Sequence, residues 1–148
     1  MALALIDTNV LVYAYDRGET VKQKRAIELL DRLQLSSSGR LSTQTLAEFF
    51  NATTRGAHPI LPVRVAGQQV ERLAQAWPVL LITPQIVLSA VRAVHEHRLN
   101  YWDAQLWATA LLNQLPVIFS EDFAAGASLE GVRLVNPFAG KFVLADWT

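Results

Sequence analysis

Leu3-Ala4-Leu5-Ile6 runs without interruption into Asp7, and two small polar residues, Thr8 and Asn9, follow. A short apolar run bounded by turn-forming residues reads as a strand buried on both faces. The carboxyl end of a strand in an open parallel sheet faces the ligand crevice, which puts Asp7 at the mouth of a site. The other reading of the same residues is local: Asp7 or Thr8 caps a helix that starts near Val10.

The rest of the chain supplies partners for such a strand. Val79-Leu80-Leu81-Ile82 and Val117-Ile118-Phe119 are two more buried-type strands, Val132–Val135 is a weaker one and Leu41-Ser42 is brief. Helical spacing fills the intervals. Thr20-x-x-Gln23 is a capping-box pattern ahead of Ala26, Ile27, Leu30 and Leu33. Ser42 or Thr43 caps a helix through Leu46, Phe49 and Phe50. Pro62 opens a helix carrying Val63, Ala66, Val70, Leu73, Ala74 and Trp77. Thr83-Pro84 opens the next, with Val87, Ala90, Val91 and Val94 inside, and Asn100 caps one from Tyr101 to Asn113. Strands alternating with helices or helix pairs predict an α/β sandwich with a mainly parallel sheet and right-handed crossovers.

Composition bounds the function. At 148 residues the expectation is one domain over 1–148. Hydrophobic residues make up 51% and charged residues 18%, which excludes a disordered chain. The net charge is zero, so any grip on nucleic acid must be local. There is no cysteine, which removes disulfides and thiolate metal sites and fits a cytoplasmic protein. No apolar run approaches the roughly 18 residues of a spanning helix, and no basic leader precedes the first strand; neither a membrane span nor a signal peptide is expected.

Four acids carry the chemical argument. Leu106, Trp107, Ala110 and Leu111 follow Asp103 on one helical stripe, so Asp103 points with the buried side rather than with Gln105 and Thr109. A buried carboxylate needs a helix N-terminus, a hydrogen bond or a cation. The alternative is a capping box with Asn100. Glu48 shares its helix side with Gln44, Asn51 and Arg55, which on local grounds is a solvated face. Asp122 follows the Val117–Phe119 strand as Asp7 follows the first; its bland reading is an exposed turn. Oxygen-only ligands suit a hard cation such as Mg²⁺ or Mn²⁺.

In order and spacing, Ile6-Asp7-Thr8-Asn9, Leu46-Ala47-Glu48-Phe49, Tyr101-Trp102-Asp103-Ala104 and Phe119-Ser120-Glu121-Asp122-Phe123 resemble the four signatures of the PIN domain. More narrowly the chain resembles the VapC-type toxins of toxin–antitoxin pairs. The resemblance implies a PIN-like three-layer sandwich and a metal-dependent endoribonuclease that uses Mg²⁺ or Mn²⁺. By motif, Asp7, Glu48, Asp103 and Asp122 are the catalytic and metal-binding acids, with Glu121 an alternative for the fourth. Thr8, Asn9 and Ser120 are the small polar residues that steady them. The resemblance also implies an RNA substrate, a cognate antitoxin and a homodimer. Two other uses of the fold stay open: a PIN nuclease of RNA processing, and an inactive RNA-binding or scaffold module.

The substrate-holding residues are open. Lys22, Lys24 and Arg25 cluster near one helix start, and Arg17, Arg40 and Arg55 lie in segments that could border the crevice. Tyr13, Tyr15 or Trp102 could stack on bases, although core packing is the expected role of Trp102 and Trp107. His95-Glu96-His97 lacks the spacing of a helical zinc site and reads as cations at a helix end. An aspartyl phosphatase would need a second acid at the position of Asn9.

Overall fold

A computed structural model describes residues 2–122 and 126–147. Six strands form one sheet in the order β3-β2-β1-β4-β6-β5: β1 (Ala4–Ile6), β2 (Gly39–Ser42), β3 (Val79–Leu80), β4 (Val117–Phe119), β5 (Ser128–Leu129) and β6 (Val132–Val135). All pairings are parallel except β5 with β6. The helices are α1 (Thr8–Tyr13), α2 (Thr20–Leu35), α3 (Thr43–Thr54), α4 (Val63–Ala76), α5 (Pro84–Glu96) and α6 (Tyr101–Leu112).

Alternation along the central strands builds two cores. Ala4, Ile6, Val117 and Phe119 face a cluster with Leu11, Leu29, Phe49 and Leu73 of α1 to α4. Leu5, Ile118, Val132 and Leu134 face the other, with Ile86, Ala90 and Ala93 of α5 and Leu106 and Trp107 of α6. The result is the expected three-layer α/β sandwich around a mainly parallel sheet. The chain leaves β1 toward β2 and β3, then returns to the opposite side of β1 as β4. That reversal makes a topological switch point, where a crevice opens beyond the strands' carboxyl ends.

Several local expectations change. Thr20 is the first helical residue of α2; its N-cap, Glu19, makes no side-chain cap bond, and Gln23 Nε2 instead donates to Ala14 O at 3.2 Å. Leu29, not Ile27, occupies the buried face of α2. β3 is a two-residue edge strand, and Leu81 beyond it is exposed. On α5 the buried side is Ile86, Ala90 and Ala93, while Val87, Leu88, Val91 and Val94 face outward. α6 is buried around its whole circumference from Ala104 to Ala110. Gln105 and Thr109 therefore lie inside, satisfied by hydrogen bonds to Gln44 and to the Gln105 carbonyl. Trp107 is core, but Trp102 is 61% exposed. No helix among the described residues is long and apolar enough to cross a membrane.

Candidate active site

Asp7 is both things the sequence allowed. It ends β1 and caps α1, with Oδ1 accepting from Thr8 N at 2.7 Å. Its other oxygen, Oδ2, faces the crevice and accepts from Ser120 Oγ at 2.6 Å and from Asn9 Nδ2 at 3.4 Å. Asn9 Nδ2 also lies 3.3 Å from Ser120 Oγ and from Asp122 Oδ2. Its two hydrogens are thus shared among three acceptors, tying the ends of β1 and β4 together. The loop after β4 is fixed from its own side as well: Glu121 N donates to Asn9 Oδ1 and Asp122 N to Ser120 Oγ, each at 3.3 Å.

The capping box expected at Asp103 is half made: Asn100 caps the helix, and Asp103, whose carboxylate takes the Asn100 side chain instead of its backbone N–H, also lines the cleft. Asn100 Oδ1 accepts from Asp103 N at 3.0 Å, and Asn100 Nδ2 donates to Asp103 Oδ2 at 2.6 Å. Glu48 departs from its local reading. The side it shares with Asn51 and Arg55 is a wall of the crevice rather than a solvated surface. Asp7, Glu48, Asp103 and Asp122 all line this single cleft of about 490 Å³, with Thr8 and Asn9. Ser120, fully buried, supports it from beneath. Phe123, the last residue of the fourth motif, lies outside the described residues.

The cleft is electrostatically loaded. Burial pushes the Asp7 carboxyl up to about 6, against the Ser120 and Thr8 hydrogen bonds, and the charges of Glu48 and Asp103 add to the rise. Glu48 is raised by burial and by Asp103, and Asp103 by burial and by Asp122. Thr8 Oγ1 is buried without a hydrogen bond of normal geometry, yet it is near enough to Glu48 to favour its ionised form. Oxygen donors alone and mutual repulsion are what a hard divalent cation would satisfy. The residues present fit such an ion.

Glu121 does different work. Its carboxylate takes Lys22 Nζ at 2.6 Å and the Tyr13 hydroxyl at 2.6 Å. Burial alone would raise Glu121, but Lys22 and Tyr13 outweigh it and hold it below its ordinary value. Asp122 is left as the acid of this loop that faces the other three across the cleft. Tyr13, one of the rings offered for base stacking, lines the cleft; the sequence did not mark Val12, Asp16 and Ala52. Helical spacing from Glu48 marks Ala52, but only after Glu48 itself is known to face the cleft.

Among the proposed cations, Arg55 lines the cleft. Arg40 instead binds the Ser37 and Gly39 carbonyls, and Arg25 binds the Pro137 carbonyl. His97 pairs with Glu130 at 2.6 Å rather than with its own helix end. Glu96, His97 and Glu130 bring three ligand atoms within 4.8 Å of one another, but at the strands' opposite end. Arg92 already binds both carboxylates there, at 2.6 and 3.0 Å.

Comparison with known proteins agrees with the fold. The toxin–antitoxin complex from Klebsiella pneumoniae has a TM-score of 0.66 at 21% identity, covering 91% of this chain and 98% of that one. DNA-bound VapBC from Salmonella typhimurium gives 0.68 at 18% identity, covering 93% and 99%. Mycobacterium tuberculosis VapC20, described as a sarcin-ricin loop cleaving toxin, gives 0.65 at 19% identity, covering 86% and 97%. No curated protein matches by sequence. The family model of the PIN domain matches residues 4–125, a span that contains all four acids and the polar residues that orient them; the chain belongs to the PIN domain family.

Proposed function

We propose that this protein is a metal-dependent endoribonuclease and the toxin of a toxin–antitoxin pair. One observation carries the reading: carboxylates from four separate segments, Asp7, Glu48, Asp103 and Asp122, line one cleft at the switch point of the sheet. The solved structures it resembles include VapBC complexes and a sarcin-ricin loop cleaving toxin, which supports the same reading.

Asp7 and Asp103 would hold Mg²⁺ or Mn²⁺, with Glu48 and Asp122 beside them. Such an ion, when bound, lowers the pKa of water and offsets charge building on a phosphoryl oxygen. The chain's own groups do the rest. Ser120, Asn9 and the Thr8 N–H fix the Asp7 carboxylate, so little reorganisation is needed when substrate arrives. Glu48, half-buried and raised, accepts a proton from the attacking water and orients it. Arg55 is the cation lining the cleft among the described residues, and it meets a flanking phosphate.

The antitoxin covers this cleft, and a second copy of the chain covers the apolar outer face of α5. The observation behind the second partner is the exposure of Leu88 and Val91, 69% and 56%, on that face.

The test is incubation of purified protein with end-labelled RNA, with and without Mg²⁺ or Mn²⁺. Internal cleavage that needs the ion and is abolished in Asp7→Ala and Asp103→Ala is expected. Equal cleavage by these variants and the parent would overturn the assignment.

A further inference from the structure

A second groove opens beside the carboxylate cleft and shares two of its walls. It encloses about 330 Å³ and is lined by Gln44, Ala47, Glu48, Asn51, Trp102 and Gln105. Glu48 and Asn51 also line the cleft. A strand of polymer passing over the carboxylates would therefore lay its next unit into this groove.

Trp102 is the dominant feature of that wall. It sits in the first turn of α6, next to Asp103, with 61% of its surface exposed. A tryptophan so placed leaves most of its apolar surface in water, with Tyr101 as its ring neighbour. The backbone beneath it is nevertheless fixed, because Trp102 O accepts from Gln44 Nε2 at 3.1 Å. The ring stands against Tyr101 at 84°, with centroids 5.1 Å apart. The floor is equally set: Gln105 Nε2 donates to Gln44 Oε1 at 2.9 Å, and Tyr101 OH donates to Gln105 Oε1 at 2.8 Å. Both glutamine amides are committed to each other and to α6. The Asn51 amide, by contrast, makes no hydrogen bond to a described residue. The groove thus offers one flat aromatic wall, one uncommitted amide and no cation.

We infer that this groove is a nucleobase subsite, in which the unpaired base next to the scissile phosphodiester stacks on the Trp102 indole and turns its polar edge to Asn51. The inference rests on the ribonuclease reading of the cleft. Single-stranded RNA is held by stacking on aromatic side chains, and its base edges are read by side-chain amides. The absence of a cation in the groove favours a base over a phosphate there. Its continuity with the carboxylates through Glu48 and Asn51 puts it on the path of a strand whose phosphodiester lies over them.

The test is equilibrium binding by fluorescence anisotropy in EDTA, with probe integrity checked on a gel. One probe is a labelled single-stranded RNA of random sequence, about 12 nucleotides long; the other is a ribose–phosphate chain of the same length without bases. Trp102→Ala should weaken binding of the base-bearing probe by about tenfold and leave the baseless probe unchanged. Trp102→Phe should stay within about threefold of the parent, because a ring remains. Equal affinity of Trp102→Ala and parent for the RNA overturns the inference. So does equal weakening on both probes, or no binding by the parent. A change of molar mass in Trp102→Ala with RNA affinity unaltered would make the groove a protein interface instead. RNA binding with the expected Trp102 dependence, but no cleavage in Mg²⁺ or Mn²⁺, would defeat the ribonuclease reading and leave the subsite standing. Cleavage with unaltered Trp102→Ala affinity would do the reverse.

Discussion

Ser120 Oγ donates to Asp7 Oδ2 at 2.6 Å, joining the carboxyl ends of two adjacent strands. The hydroxyl favours the ionised carboxylate, so it restrains a pKa that burial has already lifted to about 6. Ser120→Ala removes the restraint and moves Asp7 higher still. A hydrogen bond to a charged group contributes roughly 1.5–3 kcal/mol, and one pKa unit is about 1.4 kcal/mol. The acid limb of kcat/KM against pH should shift upward by about one unit in Ser120→Ala. An unmoved limb would show that Asp7 does not govern it.

The same elevation has a consequence for stability without metal. Between the ordinary aspartate value near 3.8 and the folded value near 6, the folded chain binds more protons at Asp7 than the unfolded chain does. Its contribution is therefore fully present below pH 3.8 and declines as pH rises through 6. Asp7→Asn removes the decline. In EDTA at pH 8 it should be more stable than the parent by about 1–2 kcal/mol, with the gap closing toward pH 4. Urea denaturation at the two pH values measures this. A variant less stable than the parent at pH 8 would mean that the Asp7 hydrogen bonds outweigh its desolvation.

Divalent ions should reverse that penalty. A ligand that binds only the folded chain stabilises it by RT ln(1 + [L]/Kd), about 2.7 kcal/mol at a hundredfold excess over Kd. Mg²⁺ or Mn²⁺ at pH 7.5 should raise the melting temperature of the parent. The rise should be lost in Asp7→Asn and reduced in Glu48→Gln and Asp103→Asn. An equal rise in all four proteins would place the ion elsewhere, with Glu96, His97 and Glu130 the first group to test.

A buried glycine supplies a prediction outside the site. A Cβ at Gly39 would run into the Trp77 ring and press on Ile6 and Leu33. Gly39 begins β2, and Trp77 follows α4 and packs into the same core as Ile6. Gly39→Ala should destabilise the fold by about 1–3 kcal/mol, the usual cost of overpacking. Denaturant midpoints measure it, and a neutral result would mean that Trp77 swings away freely.

The parts of this molecule legible in the sequence were those whose signals are local. β1 and β4 stand out as apolar runs, and Ser42, Thr83 and Asn100 cap their helices as their positions suggest. β5 was not legible, because it is two residues long and exists through a two-residue turn. Glu130 and Gly131 both take positive φ there, 49° and 88°, with no Asn-Gly or Asp-Gly to announce it. The stripe beyond Asp103 gave the right direction for an incomplete reason. α6 is central and buried on all sides, so its polar residues do not mark a wet face. Glu48 stayed ambiguous because what it faces is assembled from other segments. Trp102 was misplaced because composition cannot say which tryptophan the core omits.

The outer face of α5 carries a stripe of apolar side chains left in water. Ala90 and Ala93 turn inward, where small side chains let α5 sit close to Ala104 and Ala108 of α6. That choice leaves Val87, Leu88, Val91 and Val94 in solvent, at spacings of three and four that form one stripe. A face of this kind is stable in water when another surface covers it. With a second copy of the chain as the cover, light scattering of the purified protein should give twice the 16.4 kDa of one chain. Leu88→Glu with Val91→Glu should convert it to monomer with unchanged far-ultraviolet circular dichroism, because neither side chain contributes to the inner core. Two like charges facing two more across a twofold interface cost far more than an exposed pair does. A parent that is monomeric at every concentration tested would remove the dimer and leave the stripe to another partner.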